Sequence, residues 1–511
     1  MPHLVAELIA RHADTANAIG APGRSWLSYL GLREHCAKVK EDLHQIGIGR
    51  GDRVAIVLPN GPEMATAFIS VAQVATTAPL NPAYTYEEYV FYLKDLKAKA
   101  LLVSENENGP AVQAATELGV TILRASADSS RPAGQFSVLA CDPIGAADTS
   151  APGEDDVALI LHTSGTTSRP KIVPLTQANI YASAQNVASS LKLTTDDRCL
   201  SIMPLFHIHG LIAAVAASLG AGSQISCTQG FNALSFFSQL AEVDPTWYTA
   251  VPTMHQAILA RAARNQSIVE QSRLRFLRSS SASLPAPVME ELVATFNAPV
   301  IEAYGMTEAT HQMCCNPLPP QRQKPGFVGL AAGPEVRIAD ETENVLVASR
   351  DVGEIVISGL NVTPGYESNP QANADNFFEA DGKLWFRTGD QGSFDEGNYL
   401  RLTGRLKELI NRGGEKISPL EVDAVLLSHP DVAQAVCFAV PHEKLGEDIA
   451  AAVVLSEGAA IAGQEVRDFV GARLAKFKVP TSVVILEEIP KGATGKIQRI
   501  GLAAKLGLAK A

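Results

Sequence analysis

Residues 161–171 read LHTSGTTSRPK, with three threonines, two serines and a glycine ahead of Arg169, Pro170 and Lys171. Small hydroxylated residues let the backbone bend close to a ligand, and their N–H and O–H groups can point at phosphate oxygens. Thr163, Ser164, Gly165, Thr166 and Thr167 would cradle an anion, and Lys171 would add a positive charge. The pattern GxxxxGK[ST] is absent, so this is not the P-loop of NTPases. A flexible surface loop of the same composition is the alternative.

Further chemistry follows along the chain. In VIEAYGMTEAT (300–310), a strand carries Tyr304, Gly305, Met306, Thr307 and Glu308 into a loop. Tyr304 could stack on a flat base, Thr307 can donate to phosphate, and Glu308 is a hard oxygen ligand suited to Mg²⁺ on phosphates. A strand-end turn with a solvated glutamate would look the same. Asp390, in WFRTGDQGSFDEGNYL (385–400), could accept both ribose hydroxyls, or simply close an Asx-turn. Arg405 could reach ribose or phosphate, and Lys407 sits where a chain would pivot between two units; a charged linker is the bland alternative. Gly413 and Gly414 allow close backbone approach or a left-handed turn. Lys496 stands on a glycine-flexible loop, KGATGKIQR (491–499), that could equally be a basic tail. PLFHIHG (204–210) places His207 and His209 two apart, a weak metal case without carboxylate or thiolate company. Pocket-lining or core histidines fit better.

The elements that must hold these groups alternate. Strands are expected at 53–61, 98–104, 155–161, 199–205 and 223–227, helices at 63–80, 177–191 and 208–219, and a helix followed by a strand over 110–123. Thr176 is placed to cap the helix at 177. This order, strand then phosphate loop then helix, is a recurrent nucleotide-site layout. The alternation predicts mostly parallel sheets covered by helices. Residues 125–153, rich in Ala, Ser, Pro, Gly and Asp, read as a linker or long surface loop. The N-terminal 15 residues read as an amphipathic helix. After Pro325 short β-rich pieces (EVRIAD, GEIVISG, GNYLRLTG) predict a small antiparallel, barrel-like unit. Ser418, Pro419 and Glu421 then form a helix start, opening a terminal α+β unit of roughly 100 residues.

With 511 residues the chain should hold about three or four structural units. Hydrophobic residues make up 46%, which supports large cores, and 19% charged residues argue against disorder. A formal charge of −12 gives no reason to expect nucleic-acid or anionic-membrane binding. Seven scattered cysteines without CxxC spacing fit a reducing compartment and structural roles. No secretory signal, transmembrane run or SKL-type address is expected, so cytoplasm is the default.

The ordered set of motifs resembles the adenylate-forming superfamily of acyl-CoA synthetases, adenylation domains and luciferases, from Val54 to Arg499. The resemblance implies an α/β fold: a large N-terminal region (1–403) of two doubly wound subdomains plus a small β-barrel, a hinge (404–408), and a mobile α+β domain (409–511). It implies ATP, Mg²⁺ and coenzyme A, and a small carboxylic acid as partner, in a monomer or weak homodimer. The catalytic residues it implies are Lys496, Thr307, Glu308 and Lys407, with Glu308 on Mg²⁺. Thr163 to Thr167 and Lys171 would hold phosphates. Ser281, Ala282, Ser283, Tyr304, Gly305 and Met306 would line the adenine site. Asp390 and Arg405 would take ribose, and Gly413 and Gly414 the CoA channel. The family's usual glycines are replaced by Ser168 and Ile172, and the adenine loop reads SSSASL. These departures, with PLFHIHG, YGMTEATHQM and INRGGEKISP, most resemble the oxalate–CoA ligases of plants and fungi. His207, Ser279, Ser280 and His311 are the expected donors to a dianionic acid. Another short dicarboxylic, fatty or phenylpropanoid acid, a carrier-protein acceptor, and a non-catalytic nucleotide binder are the competing readings.

Overall fold

The computed structural model describes residues 2–139, 142–163, 170–340, 342, 344–490 and 499–508. One sheet has seven strands in the order Phe136–Val138, Thr121–Ala127, Ala100–Ser104, Arg53–Val57, Thr76–Pro79, Val157–Thr163 and Lys171–Thr176. Its five inner strands are parallel and its two edges antiparallel. Arg53–Val57 and Ala100–Ser104 are buried almost end to end, as expected for strands covered on both faces.

A second sheet has nine strands. Its order is Leu330–Ala331, His311–Cys315, Val300–Met306, Phe276–Ser279, Trp247–Ala250, Arg198–Ser201, Gln224–Cys227, Asn17–Gly20 and Leu27–Ser28. The six strands from Val300–Met306 to Asn17–Gly20 are parallel. Helix Pro62–Ala72 buries every residue except Glu63. It lies in one continuous core that takes in Ile56 and Leu102 of the first sheet and Ile19, Cys199 and Trp247 of the second. Val336, Ile338 and Ile355 of a five-stranded antiparallel sheet join the same core. That sheet runs Glu335–Ala339, Gly353–Ser358, Lys383–Phe394, Phe377–Ala380, with Leu400–Arg405 also on Lys383–Phe394. Packing all three sheets into one core explains why the chain up to Leu400 is a single body.

Local rules set the ends. Thr85 and Glu88 form a reciprocal capping box before helix Tyr86–Leu96, and Thr176 and Asn179 another before Gln177–Ser190. Ser418 accepts the N–H of Glu421 and Pro419 takes the first turn of helix Pro419–Leu427. The terminal unit has its own core, with Ile410, Val422, Cys437, Ile449 and Val466 fully buried.

Three expectations change. The N-terminus forms only the 3-10 turn Val5–Leu8 before entering the nine-stranded sheet, because pairing of Asn17–Gly20 with Gln224–Cys227 claims the chain. The stretch 125–153 is not all loop: Thr121–Ala127 runs on to pair with Phe136–Val138, which seats the Phe136 ring in the core. The segment 161–171 does not feed a helix directly. Val157–Thr163 and Lys171–Thr176 form a hairpin, in which Thr163 faces Lys171 and Val157 faces Thr176. The helix capped by Thr176 therefore starts at the opposite end of the hairpin from residues 163–171. The β-branched and apolar run Ile172–Leu175 favours strand over helix there.

In the terminal unit, buried Asp423 accepts the Cys437 N–H and pairs with Arg499, each at 2.5 Å. Arg499 also meets Glu408 at 3.2 Å. Removing one partner of a buried pair strands the other. Asp423→Ala should therefore destabilise this unit by about 3–5 kcal/mol, read as a lowered urea midpoint by circular dichroism. An unshifted midpoint would show that the pair holds nothing together.

Candidate active site

The hairpin from Val300–Met306 to His311–Cys315 carries the first set of side chains. A Cβ on Gly305 would lie 1.7 Å from the His311 carbonyl oxygen, so only glycine lets these strands approach. Beyond the strand, Thr307–Ala309 makes one 3-10 turn. Thr310 and His311 then take positive φ of 49° and 100°. Non-glycine residues held there are strained, and such strain concentrates at functional sites.

Glu308 is buried, and burial raises its carboxyl pKa above the ordinary value. One of its oxygens accepts the Tyr366 hydroxyl at 2.8 Å. The Lys171 ammonium stands 4.3 Å from the centre of the Tyr366 ring. Burial lowers the Lys171 pKa, nearby Glu308 opposes this and Lys407 adds to it, so the three charges share one neighbourhood. A buried carboxylate that meets a phenol and no direct cationic partner among the described residues has the chemistry of a hard-cation ligand. Glu308 therefore fits the Mg²⁺ role.

Asp390 belongs to Lys383–Phe394 and lies opposite Arg405 of Leu400–Arg405 in strand register. Its carboxylate accepts the Tyr304 hydroxyl at 2.6 Å and the Arg405 Nε–H at 3.0 Å. The turn before it is braced three times. Gly389 takes φ +74°, its N–H donates to Glu354 Oε1 at 2.9 Å, and the Thr388 hydroxyl donates to the Ile355 carbonyl at 2.8 Å. Glu354 itself pairs with buried Arg387. Burial and Asp390 together push the Tyr304 phenol pKa well up, and the Asp390 charge raises that of Arg405.

A second polar cluster lies beneath residues 279–284. Strand Phe276–Ser279 ends at Ser279, whose buried Oγ has no hydrogen-bond partner. The Ser280 hydroxyl is committed to the Ala303 carbonyl at 2.9 Å. Ser281 has φ +74° and its hydroxyl is 3.0 Å from His209 Nδ1. His209 opens a π-helical segment, His209–Ala216, a rare widening that recurs at functional sites. The His209 and His311 rings stack at 4.9 Å. Fully buried Arg278 lies against both.

The sequence-expected residues thus divide. Tyr304, Thr307, Glu308, Asp390, Arg405, Lys171 and Lys407 are gathered on neighbouring elements, Gly305 and Met306 end strand Val300–Met306, and Ala282 and Ser283 follow Ser281 in the loop after Phe276–Ser279. Thr163 ends its strand opposite Lys171. Ser164, Gly165, Thr166, Thr167 and Lys496 lie outside the described residues. Gly413 and Gly414 form an exposed turn in the terminal unit, with φ +62° and +97°. Of the two histidines in PLFHIHG, His209 meets His311, while the His207 ring packs on Phe206 at 4.5 Å. Arg278, Thr249 and Gln312 escaped sequence reasoning. The available signal was an arginine, Arg278, directly after the apolar pair Phe276 and Leu277 of strand Phe276–Ser279. Among the described residues no cluster of three or more His, Cys, Asp or Glu side chains could hold a metal, and no helix is long and apolar enough to cross a membrane.

Comparison with known proteins places the whole chain among relatives. Residues 5–367 match the AMP-binding enzyme family and 421–496 the AMP-binding enzyme C-terminal domain. The chain is 45% identical to the oxalate–CoA ligase of Arabidopsis thaliana, over 96% of each chain. It is 42% identical to the oxalate–CoA ligase of Saccharomyces cerevisiae, over 88% of this chain and 86% of that one. Among solved structures, ATP-bound MatB from Rhodopseudomonas palustris superposes with a TM-score of 0.88 at 28% identity, over 99% of both chains.

Glu302 adds a pH handle. It is buried, one oxygen accepts the Leu284 N–H at 2.9 Å, and the other has no partner. Burial raises its pKa from the ordinary 4.5 to about 7. A raised carboxyl stabilises the fold below pH 4.5 and loses that contribution as pH climbs through about 7. Glu302→Gln keeps the acceptor and removes the titration. The variant should match the parent near pH 4 and exceed it near pH 8 by up to roughly 3 kcal/mol. Denaturation curves at both pH values check this, and parallel curves would show that Glu302 does not titrate there.

Proposed function

The chain belongs to the AMP-binding enzyme family, and we propose that it is an ATP-dependent acid–CoA ligase acting on oxalate. The acid carboxylate attacks the α-phosphorus of ATP, forming acyl-adenylate and releasing pyrophosphate. The CoA thiol then attacks the acyl carbonyl and expels AMP.

In this reading Asp390 accepts the ribose hydroxyls, with Tyr304 and Arg405 holding its carboxylate. Arg405 can turn one of its remaining N–H groups to ribose. Lys171, with 163–167, neutralises the β- and γ-phosphates, and Thr307 donates to phosphate. Glu308 would hold Mg²⁺, which when bound spreads positive charge over the phosphate oxygens. Lys496 would bridge acid and α-phosphate, offsetting the repulsion of two anions in the transition state. After pyrophosphate leaves, residues 409–511 would turn about Lys407 in the hinge 404–408, withdrawing Lys496 and bringing Gly413 and Gly414 to the CoA channel. The six described cysteines are buried free thiols, which supports a reducing setting such as the cytoplasm for a monomer or weak homodimer.

The observation that carries the oxalate reading is the lining beneath the SSSASL loop. Arg278, His209, His311, Thr249, Gln312 and Ser279 are buried polar groups where a fatty or aromatic acid needs an apolar tunnel. A small dianion fits that chemistry. The two oxalate–CoA ligases among the relatives support it.

AMP and thioester formation with oxalate, malonate, acetate, octanoate and 4-coumarate tests the substrate. Oxalate should dominate. His311→Ala should raise the KM for oxalate more than that for ATP, and equal effects would remove His311 from the acid site.

Lys496→Ala should abolish adenylate formation yet leave thioester formation from preformed acyl-adenylate largely intact. Equal loss in both half-reactions would overturn the alternation of the two units.

A further inference from the structure

Arg278 lies on Phe276–Ser279, in the parallel centre of the nine-stranded sheet and three residues before Ser281. Its side chain is 0% exposed. A guanidinium so deep normally faces a carboxylate, because an uncompensated buried charge is costly. Among the described residues Arg278 faces none. One terminal nitrogen donates to His209 Nε2 and to Thr249 Oγ1, both at 3.3 Å. The other donates to His311 Nε2 at 3.0 Å and to Gln312 Oε1 at 3.2 Å. The Nε–H has no hydrogen-bond partner. Every acceptor is neutral, so the positive charge is left over. Burial lowers its pKa only to about 10, and it remains a cation at neutral pH.

Arginine has donors only, so His311 Nε2 accepts from it and that ring carries its hydrogen at Nδ1. The Thr249 hydroxyl lies 2.6 Å from His209 Nε2; accepting from Arg278 and donating to that nitrogen, it places the His209 hydrogen at Nδ1 as well. His209 then donates from Nδ1 to the Ser281 hydroxyl at 3.0 Å, turning that hydroxyl's hydrogen outward. Three backbone irregularities converge on this relay: the π-helical turn at His209, and positive φ at Ser281 and His311. Such strain persists only where the surroundings hold it in place.

We propose that Arg278 is the specificity-determining positioning residue of the acid site, selecting an acid that carries a second carboxylate. It acts through His209, Ser281 and His311, whose donor hydrogens it orients, and through its own uncompensated charge. The inference rests on the oxalate reading and deepens it. A monoanion of the same carbon skeleton, such as glyoxylate, reacts at its one carboxylate and leaves the relay facing a neutral carbonyl.

The test compares oxalate with glyoxylate in the parent enzyme and in Arg278→Gln and Arg278→Lys. Thioester formation gives kcat/KM, and inhibition of oxalate turnover gives the affinity of glyoxylate. Arg278→Gln should lower kcat/KM for oxalate roughly tenfold or more while glyoxylate affinity changes less than about threefold. Arg278→Lys should recover part of the oxalate loss. Equal losses for both acids, or a lysine variant no better than glutamine, would assign Arg278 a purely structural role and overturn the proposal. Should the Arg278 variants not fold, Ser281→Ala, at the loop end of the relay, must show the same selective loss. Parent enzyme that forms no oxalyl thioester would sink the oxalate reading and the proposal together. Oxalate turnover with an unselective loss would sink the Arg278 role alone.

Discussion

Tyr304 and Asp390 meet at 2.6 Å across the boundary between the nine-stranded sheet and the five-stranded sheet. Each brings the other's environment into order. The phenol is buried and needs an acceptor, and the carboxylate is nearly buried and needs donors. Tyr366 and Glu308 repeat the arrangement at 2.8 Å, between the loop after strand Gly353–Ser358 and the 3-10 turn Thr307–Ala309. Both carboxylates would be costly in an apolar core, and both are the groups that the proposed reaction assigns to the ribose and the cation. The sheets can therefore be held at this spacing only because the site is polar.

The same economy governs the charge balance. The chain carries a net −12, but Lys171 and Lys407 share the neighbourhood of Glu308, Arg405 meets Asp390, and Arg278 meets neutral acceptors. In the proposed reaction, substrates that are themselves anions would supply the compensation that the protein withholds. Low dielectric makes each of these pairings stronger than it would be at the surface.

Much of this was legible in the sequence because a backbone demand and a chemical demand coincide in one short segment. Gly305 is needed for the hairpin and lies beside Tyr304 and Glu308; Gly389 is needed for the turn and lies beside Asp390. What stayed hidden depended on distant partners. Arg278 reads as an ordinary strand residue, and the rings it touches lie 69 and 33 positions away. His207 and His209 are equivalent in PLFHIHG until the π-helical turn aims the second at Ser281. The hairpin linking Thr163 to Lys171 was obscured because the helix signal at Thr176 was read as continuous with the loop. The N-terminal segment has helical periodicity, but a helix so short is marginal by itself, and only Val5–Leu8 completes a turn before the chain enters the sheet.

The hydrogen bond from His209 to Ser281 has a thermodynamic consequence. Ser281 belongs to the SSSASL loop expected at the adenine, while His209 and Arg278 belong to the lining beneath. In the proposed reading, one contact thus joins two ligand sites. An acid that orders His209 also orders the loop, so the entropy of fixing that loop is lost only once for two ligands. Binding free energies linked this way are reciprocal. Whatever factor the acid adds to nucleotide affinity, the nucleotide returns to the acid, and neither ligand's affinity is a property of its own site alone.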